Sequence, residues 1–190
     1  MIVLLDNYDG CVYNLFQLLG HFRKDIKIVR NDRITAAELA ELPMDHLVIS
    51  GGGSLLDNVG NGMEIIREFN GKVPILGICL GYRMLCGAYG AHMSYMQEIM
   101  QGRPSPIALQ TDNPLFAGMP EEISGMRYHS MTIKENDIPQ NMEIIARAED
   151  DGEVMGVQYK DASTYGLQFH PESFMTKEGP KIIENFLKLK

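Results

Sequence analysis

Pro74-Ile75-Leu76-Gly77-Ile78-Cys79-Leu80-Gly81 is the stretch that decides the fold. Ile75 to Ile78 is apolar without a polar alternate, the pattern of a strand covered on both faces. Leu80 to Cys86 then carries a helical pattern, and only Cys79 separates the two, so the spacing predicts a strand that turns directly into a helix. Working outward, the same pairing recurs towards the N-terminus. Ile2 to Leu5 precedes Val12 to Phe22, Ile26 to Val29 precedes Ala36 to Leu42, and Leu47 to Ile49 precedes Met63 to Phe69. Strands alternating with helices predict a parallel sheet with helices on both faces and functional loops at the strands' carboxyl ends.

After Gly90 the texture changes. Shorter alternating segments, His92 to Ile99, Glu143 to Ala148 and Val154 to Tyr159, are punctuated by Pro104, Pro106, Pro114, Pro120 and Pro139. They predict antiparallel strands appended to the sheet. Tyr165 to Phe169 reads as another apolar strand. Lys177 to Leu189 reads as a helix with Pro180 in its first turn, packing back on the sheet. With no repeat or linker, residues 1–190 are expected to form a single α/β domain, a mixed, largely parallel central sheet flanked by helices.

Of the 190 residues, 45% are hydrophobic and 22% charged, close to globular averages, so the chain can bury a core. The net charge of −8 argues against a nucleic-acid or anionic-membrane partner. Cys11, Cys79 and Cys86 show neither disulfide nor zinc-ribbon spacing, which fits a reducing cytoplasm. The run Met1 to Leu5 is too short for a membrane span and lacks a basic flank, so neither a signal peptide nor a membrane segment is expected. His21, His46 and His92 share no ligand spacing with the cysteines, so metal is not expected.

Three loops at strand ends carry candidate chemistry. Gly77-Ile78-Cys79-Leu80-Gly81 has the form of a nucleophile elbow with cysteine in the serine place, its side chain presented at a helix N-terminus where amides and dipole favour a thiolate. The alternative is a buried structural cysteine. Gln168-Phe169-His170-Pro171-Glu172-Ser173 offers a histidine to take the thiol proton and a carboxylate to orient it. The alternative there is a loop histidine beside a solvent-facing acid. Ser50-Gly51-Gly52-Gly53-Ser54 allows backbone amides to approach an oxyanion, or forms a phosphate loop or a simple turn; it lacks the Gly-Lys-Ser/Thr ending of a P-loop.

Taken together these residues resemble the class I, triad-type glutamine amidotransferases, specifically the small subunits of anthranilate synthase and aminodeoxychorismate synthase. Asp6-Asn7-Tyr8-Asp9 with Tyr13-Asn14-Leu15 is similar to that subfamily's N-terminal signature. Ile99 to Ile107 is similar to its loop after the elbow helix, Arg127-Tyr128-His129-Ser130 to a later motif, and Gly166 to Ser173 to the closing one. The resemblance covers nearly the whole chain. It implies glutamine hydrolysis through a γ-glutamyl thioester on Cys79, with His170 as base and acid, Glu172 as its partner, and the N–H groups of Gly52 and Leu80 as the oxyanion hole. It places Ser130 and Met131 beside L-glutamine, with ammonia passing to a separate chorismate-binding synthase subunit. No cofactor is expected in this subunit.

Three departures from that family's pattern stand out. Cys79-Leu80-Gly81-Tyr82-Arg83 replaces Cys-Leu-Gly-His-Gln, which puts Arg83 at a substrate-contacting position, with donors only and a permanent charge. Gly51-Gly52-Gly53-Ser54 replaces Pro-Gly-Pro-Gly, so a less preorganised loop is expected. Gly10-Cys11-Val12 replaces Ser-Phe-Thr, with Cys11 expected in the core. Cys86 is expected to be a packed core thiol and His129 a hydrogen-bonded structural residue. The competing functions are an amidotransferase for another acceptor, a free-standing γ-glutamyl hydrolase, and a catalytically silent subunit whose pocket is altered at Arg83.

Overall fold

A computed structural model describes residues 1–53 and 55–190; Ser54, the last residue of the glycine loop, lies outside the described residues. Five strands, β1 (Ile2–Asp6), β2 (Ile26–Arg30), β3 (His46–Ile49), β4 (Ile75–Ile78) and β9 (Thr164–Leu167), run parallel. Four more, β5 (Ser94–Leu109), β6 (Glu122–Thr132), β7 (Met142–Ala148) and β8 (Val154–Tyr159), extend the same sheet through antiparallel pairings. The order is β2-β1-β3-β4-β9-β8-β7-β5-β6. The chain leaves the parallel set after β4, builds the antiparallel half, and returns with β9 to pair beside β4, Gly77 opposite Gly166.

Unbroken apolar strands are what a sheet packed on both faces requires. Ile2 and Leu4 of β1 enter one core with Val48, Leu76 and Ile78, under helices α1 (Val12–Phe22) and α5 (Gly179–Phe186). Val3 and Leu5 enter the other with Leu47, Ile49 and Ile75, under α2 (Ala36–Ala40), α3 (Gly62–Phe69) and α4 (Leu80–Ala88). Helix α1 buries Val12, Leu15 and Leu19, one stripe at helical spacing. Helix α2 starts at a capping box: Thr35 Oγ1 accepts from the Glu38 amide at 3.2 Å, and Glu38 Oε2 accepts from the Thr35 amide at 2.8 Å.

The antiparallel half departs from the sequence expectation. The segment expected over His92 to Ile99 is one long strand reaching Leu109, with Pro104 and Pro106 inside it. Pro106 turns its carbonyl away from β6 to the Glu149 amide, so neither ring removes a ladder donor on the β6 side. The whole of β6 had no strand signal assigned. The C-terminal helix is shorter than Lys177 to Leu189 and keeps Pro180 in its first turn.

Candidate active site

Cys79 sits between β4 and α4 with φ 53°, one of two non-glycine residues with positive φ among the described residues, the other being Tyr8. The turn is possible because both flanking positions lack a side chain. A Cβ on Gly77 would lie 2.5 Å from the Gly81 carbonyl carbon, and one on Gly81 would lie 2.5 Å from the Ile49 oxygen. The Cys79 amide is tied to Leu167 of β9 at 2.7 Å, which fixes the sulfur at the carboxyl end of the parallel strands.

Adjacent β9 delivers the second loop to the same place. His170 and Glu172 have buried side chains, with Nδ1 of the ring 2.5 Å from Glu172 Oε1. The His170 amide donates to the Met126 carbonyl of β6, Thr176 Oγ1 donates to the His170 carbonyl, and the Tyr128 ring meets the imidazole edge-on at 5.0 Å. Nε2 makes no hydrogen bond of ordinary geometry, yet Cys79 and His170 are close enough to shift each other's protonation. Burial pushes the Cys79 thiol up, but the neighbouring His170 ring and then the Arg83 charge bring it below its ordinary value. Burial pushes the His170 ring down, and Cys79 and Glu172 more than reverse this. The resting pair therefore leans towards thiolate and imidazolium.

The glycine loop completes the arrangement. Gly52 has φ +148°, and a Cβ there would lie 2.8 Å from the Asn7 carbonyl and 3.0 Å from Leu80 Cδ2, so the two expected oxyanion residues are neighbours and only glycine fits. Hydrogen bonds fix the residue that enters the loop: Ser50 Oγ accepts from the Asn7 amide at 3.0 Å, the Asn7 side chain donates to the Ser50 carbonyl at 2.8 Å, and Asn31 donates to Asn7 Oδ1 at 2.9 Å. All three side chains are buried. The first glycine of the loop brings in Asp9, for a Cβ on Gly51 would lie 3.0 Å from Asp9 Oδ2 and 3.3 Å from His170 Cε1. Asp9 Oδ1 accepts from the Cys11 amide while Oδ2 is buried without a partner, and burial pushes the carboxyl up.

Arg83 lies four residues after Cys79 on the same helix face, as its spacing predicts, with Nη2 3.8 Å from the sulfur. Met131 lines a cavity of about 490 Å³ with Leu55, Met93 and Tyr95, and Ser130 is half-buried beside it on β6. His129 accepts from Arg127 Nε at 3.1 Å through Nε2, so its proton is on Nδ1, which donates to the Met131 carbonyl at 3.1 Å. That neutral ring, its pKa lowered to about 3 by burial and by Arg127, is the structural residue expected, and it steadies the Ser130-Met131 segment. Cys86 is buried against Met142, its thiol pushed up. Cys11 is not a core residue: it is half-buried just before α1, because its amide is drawn to Asp9. Asn7, Asp9, Ser50 and Tyr128 stand in the sequence only as members of motifs, and Asn31 belongs to none. Their polarity beside strand ends was the available signal.

The description "Glutamine amidotransferase class-I" matches residues 3–189. The chain is 40% identical over 99% of its length to the bifunctional protein TrpGD of Thermotoga maritima, of which it spans about a third (32%). It is 35% identical to anthranilate synthase component 2 of Pseudomonas aeruginosa, over 99% of this chain and 95% of that one. With the aminodeoxychorismate/anthranilate synthase component 2 of Bacillus subtilis it shares 36% over 99% and 96%. A solved structure from Thermoplasma acidophilum, named for a GMP synthase, superimposes with a TM-score of 0.86 at 29% identity, covering 98% of this chain and 91% of that one. A nearly complete match, on a fold that gathers an elbow cysteine, a histidine–glutamate pair and a glycine loop at the carboxyl ends of adjacent parallel strands, leads to a single conclusion: the chain belongs to the class-I glutamine amidotransferase family.

Proposed function

We propose that this chain is the glutaminase subunit of a chorismate-aminating synthase, hydrolysing glutamine and delivering ammonia to a chorismate-binding partner in a hetero-oligomer. The observation that carries the reading is the convergence of Cys79, His170, Glu172, Gly52 and Leu80 at the carboxyl ends of β3, β4 and β9, together with relatives named for both chorismate-derived products. The Cys79 thiolate attacks the γ-carbonyl carbon. The Gly52 and Leu80 amides hold the resulting oxyanion, and the imidazolium of His170 gives its proton to the departing nitrogen as the C–N bond breaks. His170, oriented by Glu172, then takes a proton from the water that opens the thioester. Ser130 and Met131 flank the substrate. No cofactor takes part in this subunit.

The partner's place is suggested by the surface. Tyr8, Tyr13, Leu55, Phe174 and Met175 are exposed in the segments that follow the carboxyl ends of β1, β3 and β9, the end of the sheet at which Cys79 lies, and we place the partner there. Among the described residues no helix is long and apolar enough to cross a membrane; together with three unpaired cysteines this supports a place in the cytoplasm. Cys79→Ala in the complex should abolish glutamine-dependent amination while leaving ammonia-dependent amination intact. Loss of both, or of neither, would overturn the assignment. A second reading, an amidotransferase for another acceptor, draws on the likeness to the structure named for a GMP synthase. Co-purification with a synthase chain that does not bind chorismate would favour it.

A further inference from the structure

The fold buries two arginines, and they are provided for differently. Arg127, fully buried, faces Asp150 and Asp151. Arg83, 5% exposed, has no carboxylate within ion-pairing distance among the described residues. Its partners are weak: Nε reaches the Cys79 carbonyl at 3.4 Å, Nη1 the Met93 sulfur at 3.8 Å and Nη2 the Cys79 sulfur at 3.8 Å. A buried cation without an anion is costly. In the resting enzyme the Cys79 thiolate supplies that anion, but attack on a carbonyl converts the thiolate into a neutral thioester sulfur. The guanidinium is then stranded unless the substrate brings its own negative charge.

We infer that the site selects ω-amides bearing a carboxylate at the far end, that Arg83 binds this carboxylate as the thiolate charge is consumed, and that the α-ammonium group of glutamine is dispensable. The substrate class is the monoamides of short dicarboxylic acids, of which glutamine is one. A guanidinium has donors only and repels an ammonium, so Arg83 contributes nothing to holding the amino group. Asp9 lies against Gly51 with Oδ1 accepting from Cys11 and Oδ2 without a partner, which makes it the alternative acceptor for the ammonium that a comparison of substrates has to answer. The inference rests on the reading of Cys79 as the nucleophile. For glutaramate, which is glutamine without its amino group, the Sγ–C bond forms and the C–N bond breaks. The imidazolium proton leaves with ammonia, and water releases glutarate and restores the thiol.

Two measurements test this. The first compares alkylation of Cys79 by iodoacetate and iodoacetamide, read by mass spectrometry on the whole chain and referenced to glutathione. The iodoacetate preference should exceed that of glutathione by about tenfold or more, as a cation focuses anions in a buried site. In Arg83→Gln it should fall by about tenfold, to whatever preference the His170 imidazolium alone confers, and an unchanged ratio overturns the inference. A wild-type ratio no higher than glutathione's overturns the inference. The second compares ammonia release by the complex from glutamine, glutaramate and glutaminamide, which has the ammonium but no carboxylate. Glutaramate should stay within about tenfold of glutamine in kcat/KM, and glutaminamide should fall by about a hundredfold or more. Glutaramate inert where glutamine is hydrolysed overturns it and points to Asp9 or another acceptor for the ammonium; glutaminamide matching glutamine overturns the carboxylate requirement. If no amide is hydrolysed but iodoacetate is still preferred, the anion site stands and the proposed function fails.

Discussion

Two carboxylates near the Cys79–His170 pair act on the thiolate in opposite directions. Glu172, 2.5 Å from Nδ1, favours the imidazolium and through it the thiolate. Asp9 opposes the thiolate by its charge. Glu172→Gln should therefore raise the apparent pKa for Cys79 alkylation by iodoacetamide, and Asp9→Asn should lower it. The wild-type value should lie below the ~8.5 of an ordinary thiol. Shifts of the same sign in both variants would remove Asp9 from the electrostatics of the site. The two carboxylates were not equally legible. Glu172 stands two residues from His170 in a motif readable along the chain. Asp9 reaches the ring only because Gly51 has no side chain to separate them, a distance set by three loops and visible only in the fold.

Among the elements, the β4–α4 elbow is the one that tolerates least change. Gly81→Ala places a methyl carbon 2.5 Å from the Ile49 oxygen, a backbone atom that cannot move without disturbing β3. Thermal unfolding should show a loss of at least about 1–3 kcal/mol, and Cys79 alkylation should lose its low-pH reactivity in the protein that remains folded. Gly53→Ala, with open space around it, is the control and should change unfolding little. The elbow was legible because strand, turn and helix are contiguous. β5 and β6 were less so. Prolines 104 and 106 read as breaks, yet they lie where the strand's polar groups face away from β6. His129, Ser130 and Met131 took their meaning from a motif and not from a strand period.

At the scale of the whole molecule, the buried polar network under the antiparallel half ties stability to pH. His129 is held neutral down to about 3, whereas the unfolded chain's histidine takes up its proton near 6.5. The stability this group contributes is thus fully present above about pH 6.5 and is lost as pH falls towards 3. His129→Gln should lower the unfolding midpoint at neutral pH and flatten its decline between pH 6.5 and 4; an equally steep decline would remove His129 as the cause. The two-sided parallel core was readable from uninterrupted apolar runs. The order β4-β9 was not, because nothing local in residues 75–78 or 164–167 records that they are neighbours.

That neighbouring also governs when the enzyme becomes reactive. The nucleophile belongs to the first half of the chain, while its base is delivered by the last strand of the parallel set, after the antiparallel excursion, and is bonded to β6 at Met126. Pairings between distant segments form late, and on the ribosome residues 164–172 emerge well after the elbow. A nascent or half-folded chain accordingly displays Cys79 without His170, with no imidazolium to hold its thiol down. Chemical competence arrives only with the closing of the sheet, so a half-folded chain carries the nucleophile without the means to use it.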